Sequence, residues 1–397
     1  MDSRRGVGAA VSVTAPGGFR AGGVACGIKE PAAPDLALVA TGDGQPVTAA
    51  AVFTSNLAPA APVDVSRAHL RASGGRATAV VLNSGNANAA TGARGRADAE
   101  RTCELAAGRL GCGPDAVLVC STGLIGIPLP LTAVEAGMPP LVEGLAADGG
   151  PAAARAIMTT DTHPKEVVVE GDGFTVGGMA KGAAMLAPDM ATMLAVLTTD
   201  ASIDPRELQV ALRGAVEVSF NALSVDGCTS TNDTVIVLAG ATAGPASAAT
   251  MLAPLTAACT HLALQMAGDA EGATKVVTVR VGGAASDEEA RRAARKVAES
   301  QLVKCSLYGG DPYWGRVVSE LGTAGVVFDP RRVSIAYNGI EVCRAGVAAD
   351  HDGERLVKQM AARTIELHCH LGIGTGEGVI LTNDLSHAYI DENMRTS

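Results

Sequence analysis

The chain has 397 residues, 47% of them hydrophobic and 18% charged, with a formal net charge of −10. Its length is about two to three times that of a typical domain, and its apolar content supplies a sizeable core and excludes a disordered chain. Aromatics are 3% and the 48 glycines follow no three-residue period, so collagen is excluded, and the acidic balance argues against a nucleic-acid partner.

In chain order, Met1–Gly18 has two arginines but only a short apolar run broken by Pro16 and Gly17, so it reads as mature sequence rather than a signal peptide. Strands are expected at Ala51–Phe53 and Ala79–Leu82, a helix at Arg96–Arg109, and a strand at Ala116–Val119. Ala146–Ala154, around Gly149 and Gly150, reads as a loop. Next come a strand at Glu166–Glu170, a helix at Asp204–Val218, a strand at Thr234–Leu238 and a helix at Ala246–Gly268. A strand at Val276–Val281, a helix at Ser286–Ser300, a strand at Val333–Tyr337 and a helix at Gly353–Leu367 complete the series. Gly372–Gly378 (GIGTGEG) lacks the spacing of a dinucleotide loop and reads as a flexible turn. Strands alternating with helices indicate an α/β or α+β layered architecture. No apolar run approaches the roughly 18 residues of a membrane span, so no membrane partner is expected.

Nine cysteines without a CxxC pair point to reduced, mostly buried thiols and a cytoplasmic protein. His368 and His370 flank Cys369 with the spacing of one strand face, but no second ligand pair accompanies them and no metal is expected.

The chemistry concentrates in polar, glycine-punctuated runs: Asn83–Gly92, Cys120–Gly126, Thr159–Lys165, Lys181–Ala201, Phe220–Thr234, Asp269–Lys275 and Gly309–Arg316. Asn, Ser and Thr make poor core but good partners for small polar ligands, and seven such runs suggest a site built from several loops. GxSxG is absent, and of the seven histidines only His163 lies in these runs, so a histidine triad has little support. Thr192 is a candidate nucleophile that needs no histidine. Were the chain cut before it, its α-amine, with a pKa near 8, would serve as the adjacent base. The plain alternative is a buried strand threonine.

The run KGAAMLAPDMATMLAVLTTDA, with CSTGLIG upstream and FNALSVDGCTSTNDT and DAEGATK downstream, closely resembles the ornithine acetyltransferase family, also called bifunctional glutamate N-acetyltransferases. The match runs from TAPGGFRAGGVACGIK through NSGNANAATG and GGDPYWGR to DLSHAYIDEN. It implies a self-cleaving enzyme of arginine biosynthesis that moves an acetyl group from N-acetylornithine to glutamate through an acetyl-threonine intermediate. It further implies cleavage between Ala191 and Thr192 into chains 1–191 and 192–397, which stay together, commonly as an α2β2 assembly. The implied fold layers sheets between helices, resembling N-terminal-nucleophile hydrolases in logic but not topology. By the same resemblance Thr192 is the nucleophile, Thr122 and Gly123 the oxyanion pair, and Thr159, Lys181, Glu271 and Asn393 substrate contacts. No cofactor is implied; whether acetyl-CoA also serves as a donor substrate is left open.

Those residue types suit the roles. The Gly123 amide and Thr122 side chain are donors for a tetrahedral oxyanion, Lys181 suits a carboxylate and Glu271 a cationic amine. Taken singly, Lys181 and Glu271 also fit surface charges, Thr122-Gly123 a turn, Thr159 a helix cap and Asn393 a frayed tail.

The chain departs from the family pattern at Ala90, at Tyr313 where Asn is usual, and at Leu381, Thr382 and Asn383, which replace an aromatic-containing strand. It stops at Ser397, four residues after Asn393, where the family usually has a substrate-contacting Ser or Thr five residues on; Ser397 is the candidate for that contact. These departures leave the nucleophile untouched and bear on substrate choice. Two alternatives stand beside the acetyltransferase: a secondary-metabolism paralogue or amidohydrolase with the same nucleophile, and an uncleaved binding or structural protein using the same polar loops.

Overall fold

A computed structural model describes residues 12–29, 33–185 and 193–394. The chain forms two compact units.

The first unit opens with β1 (Phe19–Val24), β2 (Leu36–Thr41), β3 (Val47–Phe53), α1 (Ala61–Ala72), β4 (Arg76–Ala77), β5 (Ala79–Asn86), α2 (Gly92–Leu110) and β6 (Val117–Leu124). It continues with α3 (Leu131–Glu143), α4 (Gly150–Ala156), β7 (Lys165–Glu170), β8 (Thr175–Lys181), β9 (Leu194–Thr199), α5 (Pro205–Glu217), β10 (Thr234–Ala239) and most of α6 (Ala248–Gly268). Two sheets result, ordered β1-β2-β5-β6 and β4-β3-β10-β9-β8-β7. The pairs β5·β6 and β9·β10 are parallel; the other pairs are antiparallel.

Side-chain alternation along each strand divides its residues between two cores. Val39, Leu82, Leu118 and Cys120 of the first sheet meet Met179, Leu194, Val196 and Ile236 of the second, with Ala153, Ala156 and Ile157 at the same core. Leu38, Val81 and Val119 point the other way, onto Cys103 of α2 and Val134 and Met138 of α3. On the second sheet, α5 and α6 clamp backbone at the two margins with paired amide bonds. The Gln209 side chain bonds both the N–H and the C=O of Ala51 (3.3 and 3.1 Å), and Gln265 does the same for Glu166 (3.3 and 3.0 Å). Helix, sheet, sheet and helix therefore succeed one another, the layered α/β sandwich expected. Because both faces are covered, β2, β9 and β10 are buried along their whole length and read as continuous apolar runs.

The loop expected at Ala146–Ala154 extends only to Gly149, after which α4 begins. The reason is close packing: a Cβ on Gly23 of β1 would stand 2.3 Å from the Ala152 carbonyl oxygen, so glycine there admits an alanine-rich helix that the sequence does not advertise.

The second unit contains β11 (Val276–Ala284), α7 (Asp287–Ala298), α8 (Gln301–Tyr308), α9 (Trp314–Leu321), β12 (Ser334–Tyr337) and β13 (Ile340–Arg344). It ends with β14 (Val347–Ala348), α10 (Gly353–Met360), β15 (Thr364–His370), β16 (Gly376–Asn383) and α11 (His387–Asn393). Its sheet runs β14-β13-β12-β15-β11-β16. Val277, Val279, Ile365 and Leu367 form a core with Ala290, Ala294 and Val297 of α7, Leu307 of α8 and Val317 of α9.

Two expectations fail here. The helix expected at Gly353–Leu367 stops at Met360, and Thr364–His370 is a strand: TIELHCH alternates with period two, burying Ile365, Leu367 and Cys369 and exposing the residues between. His368 and His370 thus share a face, and Cys369 points to the opposite one. Gly376–Gly378 is likewise part of β16, not of a flexible turn. A Cβ on Gly378 would meet the Arg291 nitrogen at 2.3 Å, so this glycine lets α7 lie directly on the strand.

Among the departures, Tyr313 is 54% exposed with the Arg316 guanidinium over its ring, and Thr382 and Asn383 accept hydrogen bonds from buried Lys304 (2.9 Å to Thr382 Oγ1, 2.7 Å to Asn383 Oδ1). None of the nine cysteines, all among the described residues, forms a disulfide; five are buried, while Cys228 and Cys305 are exposed. Among the described residues no helix is long and apolar enough to cross a membrane.

Candidate active site

In the first unit the candidate residues gather at strand ends. β5 and β6 run parallel with Ser84 opposite Thr122 and Gly85 opposite Gly123, and the register shifts at Asn86. Gly123 has φ +135°, and a Cβ there would stand 2.3 Å from the Gly85 carbonyl carbon, so only glycine fits. The asparagines of NSGNANAATG replace strand pairing where it ends. Asn83 accepts from Ser121 Oγ (2.6 Å) and donates to the Asn86 carbonyl (2.8 Å); Asn86 donates to the Ile127 and Pro128 carbonyls (3.1 and 3.2 Å) and accepts from the Asn88 amide (2.8 Å). Asn232, just before β10, ties the second sheet to this end by donating to the Ala87 and Ser121 carbonyls (2.6 and 2.8 Å). Thr122 is buried near the end of β6.

Thr159 and Lys181 converge on one buried carboxylate, Asp161. Its Oδ1 accepts from Lys165 Nζ (2.6 Å) and the Gly182 amide (2.7 Å); its Oδ2 accepts from the Thr159 amide (3.0 Å) and lies 3.8 Å from Lys181 Nζ. Thr159 caps no helix; its backbone joins this cluster instead. Burial alone would raise the Asp161 pKa, but the charges of Lys181 and Lys165 and the hydrogen bonds outweigh it and hold the carboxyl well below its ordinary range. Lys29 adds a third ammonium, donating to the Met158 carbonyl (3.0 Å) while its own backbone N–H binds Asp35 (2.9 Å). Burial pulls the Lys29 pKa down, partly offset by the attraction of Asp35 and Asp161, and Lys181 adds repulsion. Three ammonium groups thus act about Asp161, an excess of positive charge that favours a carboxylate ligand.

Ala191, Thr192 and Ser397 lie outside the described residues. What surrounds position 192 is described. Met193, covalently joined to Thr192, donates its amide to Asp233 Oδ1 (2.8 Å) and accepts at its carbonyl from the Thr234 amide (3.1 Å). The next residue, Leu194, pairs with Lys181 across β8·β9 and with Thr234 across β9·β10. The chain after position 192 is therefore fixed between the strand that carries Lys181 and the strand preceded by Asn232 and Asp233. Asp233 is fully buried, and burial raises its pKa well above the ordinary carboxylate value against the opposing Met193 bond and the Lys181 charge.

In the second unit Glu271 is buried, its amide donating to the Ala183 carbonyl (2.9 Å), and Asn393 Nδ2 donates to Glu271 Oε2 (2.7 Å) and to the Tyr389 carbonyl (2.8 Å). Asn393 therefore closes the last turn of α11 rather than fraying, and these two candidates meet. Tyr389 beside them has its pKa pushed up to about 12 by burial, with the charges of Asp226 and Glu271 adding to it.

Sequence reasoning missed Asp161, Asp233, Asn232 and Lys29. All four stand inside motifs it had marked, and what sets them apart is burial beside a charge or a strand end.

A model of the ArgJ family matches residues 20–396. The chain is 47% identical over 388 residues to the arginine biosynthesis bifunctional protein ArgJ of Thermobifida fusca, covering 98% of this chain and 100% of that one. It is 48% identical over 397 residues to the protein of the same name from Mycobacterium tuberculosis, covering 98% and 97%. Among solved structures, the ornithine acetyltransferase of M. tuberculosis complexed with ornithine is 49% identical over 45% of this chain and 95% of that chain, with a TM-score of 0.43. With a family match across nearly its whole length and relatives this close end to end, the chain belongs to the ArgJ family.

Proposed function

We propose that this chain is a self-processing acetyltransferase of arginine biosynthesis. It cuts itself between Ala191 and Thr192 and carries an acetyl group from N-acetylornithine to glutamate on the Thr192 oxygen. Family membership and the names of its relatives support the pathway. The observation that carries the mechanism is the anchoring of Met193 and Leu194 between Asp233 and Lys181, which ties the residues after the proposed cut to a cationic cluster.

In this reading the freed α-amine accepts the Thr192 hydroxyl proton as the oxygen attacks the acetyl carbonyl. The Gly123 amide and the Thr122 hydroxyl donate to the resulting oxyanion, and losing one such donor costs about 3–4 kcal/mol of barrier. Collapse expels ornithine and leaves an acetyl-threonine ester. The amine of glutamate attacks that ester in the second half of a ping-pong cycle. Both substrates carry an α-carboxylate, which Lys181 and its neighbours attract. Thr159, Glu271, Asn393 and Ser397 supply the remaining polar contacts, Glu271 taking a cationic amine.

Processing does not require the pieces to separate. β9 and β10, from after the cut, lie between β3 and β8, from before it, in one sheet, so the two chains remain interleaved and are available for an α2β2 assembly. Thr192→Ala is expected to abolish both self-cleavage and acetyl transfer; a cleaved or active T192A protein would contradict the scheme. Comparing N-acetylornithine with acetyl-CoA as donor tests whether the enzyme also makes N-acetylglutamate directly.

A further inference from the structure

The outer margin of the second sheet carries positive charge that the acetyl-transfer scheme does not use. β4 pairs with β3 only at Val47 and Thr48, so the rest of that strand margin is covered by other means. The Gly75 carbonyl accepts the Ala49 amide (2.8 Å), and the Gln209 side chain bonds both backbone groups of Ala51. Gly75, at φ +80°, lets the turn after α1 approach the start of α5: a Cβ on it would stand 3.0 Å from Pro205 Cβ. Between the two helices, over the small side chains of Ala49 and Ala51, lies an open groove of about 530 Å³. Small-molecule sites run from roughly 300 to 1,000 Å³.

Four arginines line this groove, Arg67 and Arg71 from α1 and Arg206 and Arg213 from α5, and no Asp or Glu does. Positions 67 and 71 are four apart, and 206, 209 and 213 are three and four apart, so each set occupies one helix face. Arg67 is paired with Asp64 (3.4 Å) and lies over the Phe53 ring (5.3 Å). Asp204 is occupied as the N-cap of α5, accepting the Arg206 amide (2.8 Å). Among the described residues the side chains of Arg71, Arg206 and Arg213 have no carboxylate partner. Elsewhere Arg96, Arg101 and Arg344 each pair with a carboxylate one helical turn or less away. The chain as a whole has 41 acidic and 31 basic residues, so the groove is a local reversal of sign. Guanidiniums facing one space repel one another, and an anion between them turns that repulsion into attraction. Their planar forks match phosphate oxygens in pairs of hydrogen bonds. With Asp64 set against Arg67, three positive charges remain, more than a dicarboxylate neutralises and well matched by a di- or triphosphate.

We propose that the groove between α1 and α5 is a binding site for a small polyphosphate, held by Arg206 and Arg213 from one side and Arg67 and Arg71 from the other. It goes beyond the acetyl-transfer reading and does not depend on it, because none of the candidate acetyl-transfer residues lines the groove. The recognised chemistry is the phosphate chain, which nucleotides and inorganic polyphosphates share. Phe53 and Leu70, beside the arginines, offer an apolar contact that only a nucleotide would use.

Isothermal titration of the purified full chain with ATP and with inorganic triphosphate, at about 0.15 M salt, tests the proposal. One saturable site per chain is expected, weakened about tenfold or more in the Arg206→Gln, Arg213→Gln double variant. Lys181→Met, which alters the cationic cluster about Asp161, is expected to bind as the wild type does. ATP binding about tenfold tighter than triphosphate assigns the site to nucleotides; equal affinities assign it to the phosphate chain alone. No saturable binding of either probe, undiminished binding by the double variant, or binding lost in K181M overturns the proposal. Equal affinity for citrate, which brings only carboxylates, also overturns it, as does a preference for poly-glutamate, the mark of an acidic protein partner. Thermal unfolding supplies a second readout. Both substituted positions are exposed, so the double variant without ligand is expected to unfold no lower than the wild type, and triphosphate is expected to raise the midpoint of the wild type only. An equal rise in both overturns the proposal.

Discussion

At the scale of residues, the site is organised by charges that burial makes consequential. Asp161 is a counter-charge for Lys165 and Lys181, both almost completely buried. Asp161→Asn removes this negative charge from beside two buried ammonium groups and is expected to destabilise the fold by about 3–5 kcal/mol, read from denaturant midpoints. The sign with pH follows from the depressed pKa of Asp161. Its contribution is complete above the unfolded value near 3.9 and is lost as pH falls through the lower folded value, so the wild-type advantage over D161N shrinks in acid. Lys304 behaves oppositely: burial lowers its pKa from 10.5 to about 8. Between those two values the unfolded state binds more protons, so stability from this group rises with pH, and a Lys304→Met variant is expected to lose that rise between pH 8 and 10. Lys181→Met is expected to raise KM for N-acetylornithine about 10- to 100-fold, the worth of a charge-assisted hydrogen bond; an unchanged KM would remove Lys181 from the carboxylate site. Thr122, Gly123, Lys181 and Glu271 stand as candidates in the sequence because their motifs can be recognised there. Asp233 and Asp161 do not, because a carboxyl becomes special when buried, and burial is a property of the assembled sheets.

At the scale of elements, glycines decide how closely strands and helices approach. Gly123 ends β6 with a backbone conformation that disfavours side chains and with no room for a Cβ against Gly85. Gly123→Ala is expected to displace the end of β6 and cut kcat by about 100- to 1000-fold, the effect of a misplaced oxyanion donor, with self-processing slowed as well. Wild-type turnover in G123A would exclude its amide from the oxyanion site. Apolar periodicity alone located the helices at Asp204–Val218 and Ala246–Gly268 to within two residues. It overran α10 into β15 because Leu356, Met360 and Leu367 also fit a helical spacing, while the alternation in TIELHCH is what turns Ile365, Leu367 and Cys369 into the core of this unit. It passed over α4, whose alanines carry little pattern and whose place depends on Gly23.

At the scale of the whole molecule, the layered class could be read from alternating strands and helices, whereas the strand order could not. Pairings such as Ala51 with Ile236 and Val196 with Ile236 join distant stretches of chain, and nothing local records them. That interleaving has a consequence: the pieces of a chain cut at Ala191–Thr192 should co-purify without a covalent link and part only on denaturation. Intact mass and N-terminal sequencing of the purified, active protein test the central claim most directly. The account predicts two polypeptides, the second beginning Thr-Met-Leu-Ala-Val. A single uncut polypeptide of 39.7 kDa that transfers acetyl groups at full rate would contradict it.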